Sequence, residues 1–446
     1  MIVPCLNSDR IYIVAIDHKM KTNKIAKPSS QAKKENCCYL PATLSPTTTT
    51  YTTSLLQTIE PTELHQHGVS APHTTHCLPD GKLMISCLGD KDGNGEGNFL
   101  VIDPPSSLNN TFKTSHLWNQ KSGPVSFGYD YWYQPRYDVM VSSEWGSPVA
   151  FKQGFHPEHL GQQQQNQHYG SSIHFWQWST GLLKQSIDLA TIVPGTKMPL
   201  EVRFLHNPEA AEGYVGCALS GNVFRFYLLK DGENNGTNDR WAAEEVINIP
   251  SKMVYGWHGS QEELLPALIT DILISLDDSI LYISAWAFGE VYQYRIENKR
   301  PPQLLDVIRI GGLLNPSSAI KIINNSDTEL LRKKIQIYDV IKQIKLCAGA
   351  QMMQLSLDGR RLYVTNSLHS AWDRQFYPDA VKKHGSQMVK IDILEEENKE
   401  TAVYNKVVGM KVDTDFLVNF GTEPNGPVLA HEMRYPGGDC TSDIWI

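Results

Sequence analysis

Three stretches of the chain repeat one plan, a tight acid-bearing turn that feeds an apolar strand. They are Leu78-Pro-Asp-Gly-Lys-Leu-Met-Ile-Ser86, Ser275-Leu-Asp-Asp-Ser-Ile-Leu-Tyr-Ile283 and Ser356-Leu-Asp-Gly-Arg-Arg-Leu-Tyr-Val364. Each turn delivers a strand that inserts one face into a core. The last two copies start 81 residues apart, close to two blades of about 40 residues each. Weaker copies begin at Gln134 and Asn207. Second strands follow at Asn98–Asp103, Ser172–Trp178, Asn222–Tyr227 and Glu290–Arg295. Paired strands at this spacing predict an all-β fold, a β-propeller whose radial repeats leave only short edges. Long amphipathic helices are missing, which argues against a βαβ enzyme.

The whole chain, residues 1–446, reads as a single propeller domain. Residues 18–57 stand apart: six lysines from Lys19 to Lys34, then Pro41, Pro46 and a run from Thr47 to Thr50. No apolar period persists there, so a disordered or inserted loop is expected. The net charge is -8, so no basic field exists to collect phosphates and a general nucleic-acid role is excluded. Charges break every apolar run before a membrane span is reached. No export signal precedes the strand-like Ile11–Ile16, so the 8 cysteines are expected as free thiols of a reducing compartment. The stretch from Gly89 to Gly97 looks like a nucleotide or calcium loop, but lacks the ending of either and reads as a glycine-rich turn.

Histidine is the outstanding chemical feature, with 15 in the chain. The densest group lies in Glu63-Leu-His-Gln-His-Gly-Val-Ser-Ala-Pro-His-Thr-Thr-His-Cys77. His206 follows in Glu201-Val-Arg-Phe-Leu-His-Asn-Pro208, and His431 in Leu429-Ala-His-Glu-Met-Arg-Tyr435. Propeller strand starts converge on a central channel, so distant histidines can meet there. Neutral imidazoles suit copper, zinc or iron. His73, His76, His206 and His431 are therefore the candidate metal and catalytic set. Glu432 and Asp439 are candidates for orienting His431 or adding a ligand. Glu201 and Arg203 read equally as a channel ion pair or as solvated charges. Asp271 sits inside an apolar strand, where burial demands a partner. No G-x-S-x-G elbow marks a serine hydrolase.

Several long strings resemble the selenium-binding protein family. They include Pro72-His-Thr-Thr-His-Cys77, the segment Val125–Arg136, Ser143-Glu-Trp-Gly146, Glu201–Pro208, Pro266–Asp278, Ser370–Pro378 and the terminal Ala430–Ile446. The resemblance covers residues 1–17 and roughly 58–446. It implies a seven-bladed β-propeller and a copper-dependent oxidase that converts methanethiol, dioxygen and water into formaldehyde, hydrogen sulfide and hydrogen peroxide. It also implies selenium bound to cysteine, residence in the cytosol and nucleus, peripheral membrane association, and a role in protein transport within the Golgi. Residues His73, His76, His206 and His431 fall on the family's recurrent histidines. The family's His-His-Ser-Gly and Cys-Ser-Ser-Cys stretches do not occur here, so an incomplete first blade and an N-terminally incomplete chain are expected. A non-catalytic propeller that binds selenium or partner proteins is the competing expectation.

Overall fold

The computed structural model describes residues 1–21, 48–107, 110–160, 167–230, 239–257, 259, 261–297, 300–324, 335–396 and 406–434. Antiparallel sheets, built in chain order, dominate. β1 (Ile2–Cys5), β2 (Arg10–Lys21) and β3 (Thr48–Ile59) form a three-stranded sheet. β4 to β7 (Val69–Cys77, Leu83–Asp90, Gly95–Asp103, Lys113–Leu117) form a four-stranded blade. The next comprises β8 to β11 (Tyr131–Gln134, Val139–Ser143, Ser172–Gln177, Leu182–Asp188). A third holds β12 to β15 (Pro199–Phe204, Glu212–Cys217, Asn222–Leu229, Arg240–Asn248).

Two strands, β16 (Lys252–Tyr255) and β17 (Glu262–Leu265), then pair with the later β22 (Lys321–Asn324) outside the blade series. The fourth blade holds β18 to β21 (Ile269–Ile274, Ile280–Ala285, Glu290–Arg295, Gln303–Ile310), extended in parallel by β23 (Ile335–Tyr338). After a short hairpin of β24 (Val340–Ile341) and β25 (Ile344–Lys345), the fifth blade comprises β26 to β29 (Met353–Leu355, Arg361–Thr365, Gln387–Glu396, Lys406–Asn419). The helices are short: α1 (Pro61–His65), α2 (Pro148–Phe151) and α3 (Ser370–Phe376). The expected propeller fold is the one observed.

The repeated turns are alike atom for atom. In one, the Ser275 hydroxyl donates to Asp277 Oδ1 at 2.5 Å and accepts the Ile280 N–H at 2.9 Å. In the other, Ser356 donates to Asp358 Oδ1 at 2.5 Å and accepts the Arg361 N–H at 3.0 Å. The serine thus closes a five-residue loop and launches the middle strand of a blade, which is why the motif recurs. The glycine-rich stretch is a turn as expected: Asp90 between β5 and β6 accepts the N–H groups of Asp92 and Asn94 at 2.9 and 2.8 Å.

The expected loop 18–57 needs correction at its edges. Strands β2 and β3 extend into it and pair out to Lys21 opposite Thr48. The threonine-rich flank, taken for loop, has the β-branched content that favours a ladder. Residues 22–47, with Cys37 and Cys38, lie outside the described residues.

The β1–β3 sheet packs on the first blade, and its β1–β2 loop reaches the fifth. Ile11, Ile13 and Ile59 share a buried cluster with Ile85 and Leu100 of the first blade. On the other side, Asn7 reaches His369 and Ser370 at 2.9 and 3.3 Å.

Candidate functional site

Three inner strands begin with the same device. Ala71, Met198 and Leu268 have φ of 52°, 61° and 53°, each in the left-handed region that costs an L-residue energy. Just after each lies a register shift: Pro72 to Thr75 in β4, Pro199 to Val202 in β12, Ile269 to Asp271 in β18. Each inserts one extra residue, a bulge that re-aims side chains. His73, Glu201 and Asp271 sit in or at the edge of these bulges. The fold thus spends its backbone strain where the channel needs polar groups.

Two of the four expected histidines, His73 and His431, influence each other electrostatically, and an unexpected third, His369, is influenced by His431 and acts on His73. His73 hydrogen-bonds Thr74 Oγ1 through Nδ1 at 3.0 Å. Its ring lies 4.3 Å from the Tyr129 ring, centroid to centroid. Burial, then the nearby His431, lower its pKa to about 4, with Asp130 opposing and His369 adding. His431 places Nδ1 2.9 Å from the Ser367 carbonyl. That nitrogen must carry the proton to bond there, which leaves the lone pair on Nε2. The Thr365 hydroxyl donates to the His431 carbonyl and fixes the segment.

His369 caps the start of α3. Its Nε2 lies 2.9 Å from Asn7 Oδ1, while its Nδ1 is buried with no hydrogen-bond partner. Burial, then His431, lower its pKa to about 4. His73 and His369 are therefore neutral at neutral pH, the form in which imidazole binds a metal. Aromatic rings wall this corner: Trp145 and Phe151, stacked at 4.0 Å, lie 6.4 and 6.2 Å from the His369 ring. The Trp145 indole nitrogen is likewise buried without a partner.

The other two expected ligands make hydrogen bonds of their own. His76 donates from Nε2 to the Tyr131 carbonyl at 3.2 Å. Its ring sits edge-on to Tyr131 and Trp132, centroids 4.8 and 5.5 Å away. Burial lowers its pKa to about 4, and its charged neighbours are Asp130, Arg203 and Arg434 rather than the other histidines. His206 is tied to the Asp278 turn: its backbone N–H and Nδ1 reach Asp278 Oδ1 at 2.8 and 2.9 Å. Glu432 pairs with Arg434 at 2.5 Å, and Asp439 lies outside the described residues.

Copper, the metal the family resemblance implies, takes neutral imidazole nitrogens. The orphaned Nδ1 of His369 and the proton-free Nε2 of His431 fit such a donor set in kind. Among the described residues no three His, Cys, Asp or Glu side chains converge on one point. The cysteines fit selenium less evenly. Burial pushes the Cys87 thiol up to about 12 and the Cys217 thiol higher still, so neither offers a thiolate. Cys77 is exposed.

Below the histidines the inner strands hold a buried ionic cluster. Arg203 donates to Asp130 Oδ2 at 2.6 Å and to Glu201 Oε2 at 2.7 Å, so Glu201 and Arg203 form a buried ion pair rather than solvated charges. Asp271 accepts the Met353 N–H at 2.7 Å through Oδ2, and its Oδ1 is buried without a partner. The sequence reading missed His369, Tyr129 and Asp130. His369 lies one residue ahead of the recognisable string that starts at Ser370, and its type and spacing set it apart from no other lone histidine. Tyr129 and Asp130 lay inside a recognised string but no local pattern marked them.

Known proteins resemble the chain over most of its length. Residues 43–446 match the profile described as 56kDa selenium binding protein (SBP56). A methanethiol oxidase of Xenopus laevis is 43% identical over 447 aligned positions, covering 100% of this chain and 80% of that protein. Selenium-binding protein 2 of Arabidopsis thaliana is 44% identical over 397 positions, covering 88% of this chain and 73% of the relative. The X-ray structure of a hypothetical selenium-binding protein from Sulfolobus tokodaii superposes with a TM-score of 0.71 at 30% identity, over 100% of this chain and 80% of that one.

Proposed function

Because the chain belongs to the 56 kDa selenium-binding protein family, we infer that it is a methanethiol oxidase. Its reaction would turn methanethiol, dioxygen and water into formaldehyde, hydrogen sulfide and hydrogen peroxide. One observation carries the reading: the buried Nδ1 of His369, beside the Trp145 and Phe151 rings, has no hydrogen-bond partner. His73, His369 and His431 would hold copper, which would supply one-electron chemistry between a soft thiolate and dioxygen.

The chain's own groups do the rest. Asn7 fixes the His369 ring through Nε2, and the Ser367 carbonyl fixes that of His431. Such outer hydrogen bonds orient ligands and decide which nitrogen is free. Trp145, Phe151 and Tyr129 would receive the methyl and sulfur of a small thiol, since sulfur packs well against ring edges. The Trp145 N–H is a buried donor that a polar reactant could satisfy. The cysteines described are unpaired, which supports a reducing compartment such as cytosol or nucleus. No helix among the described residues is long and apolar enough to cross a membrane; peripheral membrane attachment and Golgi transport rest on the family resemblance alone.

The test is turnover by purified chain loaded with copper. Methanethiol should yield sulfide and peroxide, and His369→Ala should abolish both while the fold persists. A folded, copper-replete wild-type chain that releases neither product would sink the reading. Binding of selenium without turnover is the second reading, favoured by one observation, the exposed Cys77 thiol. Saturable selenite labelling that survives Cys77→Ser would reject that thiol as the site.

A further inference from the structure

An acid, an imidazole and a hydroxyl stand in one hydrogen-bonded line across the second blade. Glu144 follows β9, His174 lies on β10, and Ser186 lies on β11, the edge strand of that blade. His174 Nε2 is 3.0 Å from Glu144 Oε1, and His174 Nδ1 is 2.8 Å from the Ser186 hydroxyl. Glu144 and His174 are 4% and 5% exposed, whereas Ser186 is open to solvent. The line runs from a buried carboxylate out to an accessible hydroxyl. None of the three belongs to the histidine corner.

The partners fix where the protons sit. Glu144 Oε2 accepts the N–H groups of Ser171 and Ser172 at 3.0 and 2.8 Å. Two such bonds favour the ionised carboxylate, which can only accept. A neutral His174 then carries its proton on Nε2, toward Glu144. Its lone pair is left on Nδ1, so the Ser186 hydroxyl donates there. Hydroxyl, base and orienting acid in that order make an activated nucleophile. Such a constellation is defined by geometry and role, so it needs no elbow motif.

The edge strand also supplies a surface for a substrate. Across the β10–β11 pair His174 opposes Ser186 and Trp176 opposes Leu183, with a register shift between them. Opposed residues share a face, and so do His174 and Trp176, two apart on one strand. Ser186 and Leu183 therefore lie on the same face. Leu183 is 37% exposed, an apolar patch beside the hydroxyl. Gln185 exchanges two hydrogen bonds with the Trp241 backbone of the next blade, at 2.8 and 2.9 Å, and holds the edge strand in place.

We propose that Ser186, His174 and Glu144 form a second active site, an esterase for carboxylic esters with a short apolar acyl group. Ser186 Oγ bonds to the ester carbonyl carbon as its proton passes to His174 Nδ1. The bond from that carbon to the alcohol oxygen breaks, and His174 gives the proton to the departing alcohol. Solvent water then attacks the acyl-serine by the same route. It yields its proton to His174, Ser186 takes the proton back, and the carboxylic acid leaves. Ser186 and His174 are the catalytic residues. Glu144 is a positioning residue that sets the His174 tautomer.

The test uses the purified full chain and p-nitrophenyl butyrate. Release of p-nitrophenol should begin with a burst of about one per chain, the mark of an acyl-enzyme, and continue at a steady rate. Mass spectrometry of quenched samples should find the butyryl group on Ser186. Ser186→Ala should abolish both. Glu144→Gln should lower kcat about a hundredfold, the scale of one general base, with KM unchanged. The amide oxygen there would keep the two backbone N–H bonds, its NH2 would donate to His174 Nε2, and Nδ1 would be left protonated. Nitrogen NMR should accordingly show the His174 proton on Nε2 in wild type and on Nδ1 in Glu144→Gln. If Glu144→Gln does not fold, His174→Gln must remove the burst. No adduct on Ser186 in wild type, or full turnover in Ser186→Ala, overturns the proposal. A butyryl group that stays on Ser186 without further release overturns it as well.

Discussion

Asp271 and Asp277 lie six residues apart on one hairpin and are put to opposite uses. Asp277, in the turn, accepts from Ser275 and from both the backbone N–H and hydroxyl of Ser279, so its charge is fully engaged. Its counterpart Asp358 is held at about 2, chiefly by the Ser356 hydroxyl bond. Asp271, in the strand, is buried, raised to about 7, and keeps one oxygen idle. The histidines divide the same way. His206 is tied to the Asp278 turn, whereas His369 keeps a buried nitrogen unused. Turns satisfy their polar atoms because the fold depends on them. The buried interior leaves Asp271 Oδ1 and His369 Nδ1 open, at a cost in stability.

Substitutions should keep the two regions apart. The largest effect is expected for His369→Ala and His431→Ala, which should each drop bound copper from about one per chain toward none and cut turnover by two orders of magnitude or more, on the order of a lost metal ligand. Metal analysis beside a turnover assay checks both. Asp271→Asn comes next. The native carboxyl binds a proton up to about 7 and the unfolded one only to 3.8. Between those values the native state binds more protons, so wild type loses stability as pH rises. The variant lacks that slope. Its unfolding free energy relative to wild type should climb by a few kcal/mol from about pH 4 to about pH 8, read from urea titrations. A flat difference would place Asp271 with the turn acids.

Smaller effects belong to the turns. Ser356→Ala should cost about 1 kcal/mol through the lost bonds to Asp358 and the Arg361 N–H, with kcat/KM unchanged. His206→Ala should cost a similar amount or less and leave copper content alone. Loss of copper in that variant would return His206 to the metal site and break the division.

The fold was legible because its turn is local. Ser356, Asp358 and Arg361 make their contacts within five residues, so the pattern survives in the sequence and recurs in the fourth and fifth blades. The site is assembled across the chain instead. His73 and His431 could be named because they lie in recognisable strings, yet nothing local says that one meets the other and His206 does not. That is decided by Asp278, 72 residues from His206, which takes up its ring nitrogen. Asp130 finds its partner, Arg203, on the next blade. The positive φ at Ala71, Met198 and Leu268 was equally hidden, since none is the glycine that usually marks such backbone.

The contact between Asn7 and His369 spans 362 residues. A loop of that length closes late, because non-local contacts must first overcome chain entropy. The Asn7 oxygen that orients His369 and the ring it holds are therefore among the final pieces to find each other during folding. Blades can form as each hairpin emerges during synthesis, while the histidine corner waits for segments far apart in the chain. Copper affinity would then serve as a clock on maturation, appearing only after the barrel of blades has shut.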